Sequence, residues 1–115
     1  MPSMNTPMIL VCTTVGTEEA AQSLARLVVT RRLAACVHLE RIQSTYRWQG
    51  QVQEETEFRL TAKTTPARAH QVQAAWAAAH PYEVPAIWTV EAQVMTPDFA
   101  AWLAEETSEE SPNGT

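Results

Sequence analysis

The segment from His80 to Pro85 constrains this chain more than any other stretch of its sequence. Pro81 and Pro85 each lack a backbone donor, and each restricts the residue before it to extended geometry, so no helix or strand continues through the segment. A helix must therefore end near His80, and a strand can begin only near Pro85. Between the prolines, Tyr82 and Glu83 lie on a stiff connector, which makes this a candidate functional loop as well as a helix stop.

The hydrophobic pattern on both sides of this segment changes its period several times along the chain. Alternation of apolar and polar residues indicates strands, and apolar residues at spacings of three and four indicate helices. Residues with turn and cap chemistry separate the segments: Thr17 is a candidate N-cap, and the pair Gln49-Gly50 suits a hairpin turn. The predicted strands are 8–12, a second strand from 33 or 34 to about 42 that continues into a long hairpin at 44–63 with its reversal at Gln49-Gly50, and 86–90; the predicted helices follow Gly16, Thr65-Pro66 and Thr96-Pro97.

This order of elements, β-α-β-β-α-β with an additional C-terminal helix, predicts an α+β protein with the ferredoxin-like split sandwich fold. Both main helices are expected on one face of the sheet. The strands carry apolar residues on both sides, so the other face is expected to be buried against a partner. We therefore expect an oligomer.

The length and charge of the chain limit its number of domains and its class of partner. The 115 residues suffice for one domain, which we place at residues 8–104, between a flexible N-terminus at 1–7 and a disordered acidic tail at 105–115. The tail contributes four glutamates to a net charge of −5, and no basic stripe occurs elsewhere, which argues against nucleic acid as a partner. The apolar runs are too short to span a membrane, and the N-terminus lacks a basic signal region. Cys12 and Cys36 fit a cytoplasmic location, where thiols stay reduced.

A thiol and an imidazole lie two residues apart in the second predicted strand. Cys36 and His38 would project from the same face with backbones about 7 Å apart, close enough to share an ion. This pair of ligand types suits copper or zinc. A small cysteine in a strand is also commonly a core residue, so packing remains the alternative interpretation of Cys36.

Four motifs in order resemble the CutA family of divalent-ion tolerance proteins, over residues from about 8 to 103. They are 32–37, 44–50, 63–65 and 80–85. The resemblance implies a homotrimer of ferredoxin-like subunits, similar to the PII signal proteins, and a role in tolerance of copper and other divalent cations. It also implies Cys12, Cys36 and His80 as metal ligands. This chain departs from many relatives at Ala79, where a second histidine is common, and at His38, which replaces a usual asparagine and is a further candidate ligand.

The trimer that the resemblance implies would gather another group of side chains around a cleft between subunits: Tyr46, Trp48, Glu57, Lys63, Tyr82 and Glu83. A cation beside aromatic walls and carboxylates suits a small-molecule site. The alternative function is therefore a PII-like regulatory trimer that binds a small molecule or an anion in these clefts. The alternative is a purely structural role, in which the aromatic side chains pack on a strand surface and the glutamates are solvated.

Catalysis is not predicted. A nucleophile such as Cys36 with His80 as its base would need hydrogen-bond contact and a third orienting group, which the sequence does not indicate. The three glycines form no phosphate-binding loop. We expect a protein that is not an enzyme and has no obligatory cofactor, with copper or another divalent cation as its ligand.

Overall fold

The computed structural model describes residues 5–109, which form one four-stranded antiparallel sheet and three helices. This architecture confirms the predicted ferredoxin-like fold class and its order of elements. The elements in chain order are β1 Thr6–Val15, α1 Glu18–Thr30, β2 Cys36–Trp48, β3 Gln51–Thr64, α2 Ala69–Ala79, β4 Ile87–Val94 and α3 Pro97–Glu106.

The strand order is β2-β3-β1-β4, so β3 lies between the first two strands of the chain. Val11 of β1 pairs with Ala62 of β3, and these side chains pack with Leu24 of α1 and Trp76 of α2 in the main core. Because directly paired residues share a face of the sheet, both helices cover one face, as predicted. We call the opposite side the open face.

Helix α1 has well-defined signals at both ends. The Thr17 hydroxyl accepts a hydrogen bond from the Ala20 backbone N–H at 3.1 Å, which satisfies one unpaired donor of the first turn. At the other end Arg32 adopts a left-handed φ of 61°. The backbone N–H of Leu33 then reaches the carbonyl of Val28 at 2.9 Å, the pattern of a Schellman motif. The predicted N-cap is confirmed.

The hairpin of β2 and β3 turns at the predicted dipeptide. Trp48 pairs with Gln51, which leaves a two-residue turn, and Gln49 and Gly50 both have positive φ, at 51° and 78°. Two left-handed residues in succession define a type I′ turn, whose twist matches that of the flanking strands. The hairpin extends beyond Val15, where β1 ends, and forms a two-stranded ribbon at that end of the sheet.

β1 and β4 extend past their predicted ends to Val15 and Val94, β2 begins at Cys36 rather than at 33 or 34, and three further boundaries also differ from the structure. β1 begins at Thr6, so the ordered domain starts before residue 8, whereas residues 1–4 lie outside the described residues. α2 begins at Ala69 rather than at Pro66, because residues 66–68 form a turn on the Thr65 carbonyl, which accepts from both Arg68 and Ala69.

The third boundary lies at the C-terminal end. α3 continues to Glu106, and Thr107 is buried, so the structured part extends past the predicted end at residue 104. Arg68 donates to the Thr107 carbonyl at 2.8 Å, and Arg32 donates to the carbonyl and hydroxyl of Ser108. These two arginines anchor the end of α3. The remainder of the predicted tail, 110–115, lies outside the described residues.

The open face is divided between α3 and an uncovered region. Leu103 of α3 packs against Val94 and Met8 at one end of β4 and β1, in a second, smaller core. Farther along the same face, Trp88 and Val90 of β4 are 41% and 46% exposed. Large apolar side chains thus remain accessible on the part of the sheet that no helix covers. No helix within residues 5–109 is long and apolar enough to cross a membrane.

Candidate functional site

His80 terminates α2, as predicted, and its imidazole is held against the end of β1. The ring atom Nε2 lies 2.9 Å from the Thr13 hydroxyl and 3.1 Å from the Thr14 carbonyl, whereas Nδ1 accepts from the Tyr82 backbone N–H at 3.2 Å. Since Nδ1 accepts, Nε2 carries the proton and donates to β1. The Thr13 hydroxyl donates to the Ala86 carbonyl, which leaves its oxygen free to accept from His80.

Both ring nitrogens of His80 are thus engaged inside the chain. A metal ion binds a neutral imidazole through a ring lone pair, and here the Nδ1 lone pair is used by Tyr82 while Nε2 bears a proton. In this arrangement the histidine fastens the connector from Pro81 to Ala86 onto the sheet. Metal ligation would require at least one of these hydrogen bonds to break.

The phenol of Tyr82 extends the same cluster to the hairpin. It donates a hydrogen bond to Oε2 of Glu57 at 2.6 Å, and its ring lies 5.1 Å from the His80 ring. Burial raises the pKa of Tyr82, and the hydrogen bond to Glu57 raises it further, so the phenol keeps its proton. Glu57 is only 8% exposed and does not belong to a solvated acidic run.

Tyr46 and Glu55 repeat this arrangement farther out on the hairpin ribbon. The Tyr46 hydroxyl donates to Glu55 Oε1, and this hydrogen bond raises the pKa of Tyr46 to about 12. Tyr46 lies on β2 and Glu55 on β3, both on the open face. The structure therefore contains two phenol–carboxylate pairs, Tyr82 with Glu57 and Tyr46 with Glu55, and both carboxylates lie on β3.

These pairs line a groove of about 1000 Å³, which we call the hairpin groove. Its lining residues come from the ribbon of β2 and β3, from the connector after α2, from the start of β4, and from Thr14 and Gly16 at the end of β1. Five of the six predicted cleft residues contribute to its lining: Tyr46, Trp48, Glu57, Tyr82 and Glu83.

Lys63, the sixth predicted cleft residue, lies elsewhere in this chain. It faces the same side of β3 as Glu57 but six residues away, about 20 Å along an extended strand. Its ammonium group lies 5.5 Å from the centroid of the Phe99 ring of α3. The only cation that lines the hairpin groove within residues 5–109 is Arg59, which forms an ion pair with Glu40 at 3.2 Å.

The other three predicted metal ligands lie on the open face. Cys36 and His38 are adjacent on that face of the edge strand β2, and Cys12 lies level with His38, with Thr61 of β3 between them. Cys12 is buried, and burial raises the pKa of its thiol even though Thr61 hydrogen-bonds to it. Both cysteines are free.

His80, in contrast, bonds to Thr13, whose side chain is on the helix-covered face. Within residues 5–109 no group of three or more histidine, cysteine, aspartate or glutamate side chains is close enough to hold a metal ion. One chain thus brings together Cys36 and His38, and it separates both of them from His80.

Several residues of the site were not predicted. Thr13 and Thr14 hold His80, Glu55 pairs with Tyr46, and Arg59 and Trp88 line the groove. The alternation of β3 places Glu55, Glu57 and Arg59 on one face, and this signal could have identified them together. Thr13 carried no such signal, because its role depends on the position of the connector.

The burial of His80 predicts a dependence of stability on pH. Desolvation lowers the pKa of His80, partly opposed by its hydrogen bond to Thr14. The unfolded chain therefore takes up a proton more readily, and the stabilisation is present above about pH 6.5 and lost as pH falls through the lower pKa of the folded state. We expect the wild-type protein to lose more unfolding free energy between pH 7.5 and 5.5 than His80→Gln.

Denaturant unfolding at the two pH values measures this difference. His70→Gln is the matched control, since His70 is an exposed histidine on the same helix. The same pH dependence in wild type and His80→Gln would show that His80 does not carry the effect.

Comparison with known proteins identifies relatives over nearly the whole domain. Residues 9–106 match the model of the CutA1 divalent ion tolerance protein family. The Divalent-cation tolerance protein CutA of Thermus thermophilus is 38% identical over 85% of this chain and 96% of its own length. The corresponding protein of Thermotoga maritima is 34% identical over 85% of this chain and 97% of its own length.

Solved structures agree with this assignment. CutA1 from Oryza sativa superposes with a TM-score of 0.84 at 32% identity and covers 94% of this chain and 100% of that one. The structure of the Thermus thermophilus protein superposes with a TM-score of 0.81 at 37% identity and covers 88% of this chain and 99% of that one. The sequence resemblance is confirmed, and the chain belongs to the CutA1 family of divalent ion tolerance proteins.

Proposed function

We propose that this protein serves divalent-cation tolerance by binding copper or another divalent cation directly. The observation that carries the proposal is the pair Cys36 and His38, adjacent on the open face of an edge strand. A thiolate and an imidazole bind copper and zinc in preference to Mg²⁺ and Ca²⁺, which favour oxygen ligands. Two ligands leave the coordination incomplete, so further ligands are required.

Cys12 and His80 are proposed as those further ligands. Cys12 lies on the same face, but its thiol is buried and Thr61 stands between it and His38. His80 must release Tyr82 or β1 before it can bind an ion. Because His80 and Cys36 lie on different faces, a site containing both would draw them from different copies of the chain.

A homotrimer is proposed as the functional assembly. The support within one chain is the open face, where Trp88 and Val90 remain about half exposed and where a helix covers only one end. Exposed apolar side chains of this size on one sheet face are typical of an interface. The number three rests on the family resemblance.

The second candidate function is a regulatory trimer that binds a small molecule, as in PII proteins. The hairpin groove favours it, since a volume of about 1000 Å³ would hold a metabolite and the phenol–carboxylate pairs would orient one.

A non-enzymatic role and a cytoplasmic location complete the proposal. In the part of the chain that the structure describes, Cys36 and His80 lie on different faces of the sheet, so one chain does not pair them as nucleophile and base. The free thiols of Cys12 and Cys36 suit a reducing compartment.

Copper binding by ligand variants tests the metal proposal. We expect Cys36→Ser and His38→Ala each to weaken copper binding by at least about tenfold, because each removes one of the two adjacent ligands. His80→Ala should weaken it less, since its nitrogens are already engaged. Affinity should also fall at acidic pH, because the ligands must lose protons to bind. Calorimetry measures all three variants.

His70→Ala serves as the control, since His70 is exposed on the outer surface of α2, away from the open face. The light-scattering mass of each variant should equal that of the wild type, which separates loss of a ligand from loss of assembly. Unchanged copper affinity in both Cys36→Ser and His38→Ala would remove the metal proposal and favour the small-molecule alternative.

A further inference from the structure

The connector from Pro81 to Ala86 is held by polar contacts rather than by a core. None of its residues is buried, and Val84 is 64% exposed. Pro81 and Pro85 have no N–H to donate, and none of the backbone–backbone hydrogen bonds found in the turns and loops of residues 5–109 involves residues 81–85. A segment with so little apolar burial and so few backbone bonds belongs to the least stable part of a structure.

His80 and Thr13 attach both ends of the connector to the sheet. Nδ1 of His80 accepts from the Tyr82 backbone N–H at 3.2 Å, while Nε2 donates to the Thr13 hydroxyl at 2.9 Å. Thr13 is fully buried, and its hydroxyl donates in turn to the Ala86 carbonyl at 2.8 Å. One chain of three hydrogen bonds therefore links the first residues of the connector, its last residue and β1.

Metal ligation and this attachment exclude one another at His80. A neutral imidazole has one lone pair and one N–H, and the connector and β1 use both of them. An ion can bind Nδ1 only after the Tyr82 N–H is released, and it can bind Nε2 only after the proton shared with Thr13 is lost. Ligation and attachment therefore compete for the same two atoms.

We propose that the connector is a metal-responsive element, attached to β1 when His80 is free of metal and released when His80 becomes a ligand. This inference rests on the proposed binding of a divalent cation with His80 in its ligand set, and it adds a conformational response to that site. Because linkage is reciprocal, a change that weakens the attachment strengthens ion binding, and ion binding loosens the connector by the same factor.

Hydrogen exchange of the full-length protein, with and without saturating zinc or copper, tests the release. The ion should accelerate exchange of the amides in residues 81–86 by about fivefold or more, and Tyr82 should show the effect because its N–H is bound to His80. With zinc, the nitrogen resonances of the His80 imidazole should change from those of the Nε2-protonated tautomer to those of a ligated ring. Exchange that stays the same or slows in a protein that binds the ion would overturn the proposal.

Thr13→Val gives the reciprocal measurement. It removes the hydroxyl that contacts both His80 and Ala86, and we expect the affinity for the ion to rise about two- to tenfold, the equivalent of one net hydrogen bond. The gain should disappear when His80→Ala is added, because it acts through the imidazole. Thr64→Val is the matched control, since Thr64 is also fully buried in the sheet and its hydroxyl donates to the Leu33 carbonyl, away from the connector.

Calorimetry on the same samples separates this proposal from the metal proposal. Ion binding that depends on Cys36 but leaves exchange of the connector unchanged would reject the conformational response and keep the metal site. No binding of either ion by the wild type would overturn both. An affinity of Thr13→Val equal to that of the wild type, or a gain of the same size in Thr64→Val, would show that attachment and ligation are not coupled. If Thr13→Val does not fold, the exchange measurement on the wild type decides alone.

Discussion

Replacing Trp76 with alanine is expected to reduce the free energy of unfolding by about 3–5 kcal/mol. Trp76 is fully buried between α1, α2 and the sheet, and its indole N–H donates to the Leu24 carbonyl at 3.0 Å. Truncation removes the largest fully buried side chain of the core together with its hydrogen bond to that carbonyl. Denaturant unfolding at a fixed protein concentration measures the loss, since assembly also contributes to stability.

Trp102→Ala provides the control for this prediction. Trp102 is 41% exposed on α3, where it contacts Phe99 at a centroid distance of 5.5 Å. Its removal should cost about 1 kcal/mol or less, as expected for one partly exposed aromatic pair. Equal losses in the two variants would contradict the assignment of Trp76 as the central core residue.

The features predicted correctly depend on neighbours in the sequence. The turn at Gln49 and Gly50 follows from the need for left-handed backbone, and the N-cap at Thr17 follows from a hydroxyl that precedes an amphipathic run. Alternation in β2 and β3 indicated which residues share a face. These local rules were enough to define the fold class, because each element in this chain agrees with its own sequence pattern.

Two boundary errors arise from contacts that local patterns do not contain. The glutamate-rich end of α3 has the composition of a solvated tail, but Arg32 and Arg68, distant in sequence, bind the carbonyls and hydroxyl of residues 105–108. At α2, Thr65 and Pro66 form a helix-start signal, yet the Thr65 carbonyl is used by a preceding turn. In each case a nonlocal or competing hydrogen bond decided the boundary.

The candidate site was predicted in part for a related reason. Alternation places Glu57 and Lys63 on the same face of β3, but six residues of extended strand separate them within one chain, and only the structure shows that the Lys63 ammonium group lies near Phe99 of α3. Cys36 and His80 belong to different elements, and only the packing of the connector determines that His80 faces β1. Sequence patterns thus indicated faces of elements, whereas distances between elements required the structure.

The second large expected effect is a change of oligomeric state caused by a substitution on the open face. Val90→Lys is expected to convert the proposed trimer into monomers, because Val90 is 46% exposed on the open face of β4, opposite Leu10. An ammonium group buried in an apolar interface without a partner costs about 3–5 kcal/mol, and a symmetric trimer would repeat this cost at every interface. Light scattering at micromolar concentration should give three chain masses for the wild type and one for the variant.

Val29→Lys is the matched control for that variant. Val29 is 40% exposed, nearly as much as Val90, but it lies on α1, which packs on the opposite side of the sheet. A trimer with its open faces inside should tolerate lysine there and keep its mass. Since an obligate interface commonly buries more than about 2000 Å² in total, a wild-type protein of one chain mass would reject the trimer outright. A Val90→Lys protein that remained trimeric would instead place the interface on another surface, and the uncovered sheet face would then need a different partner.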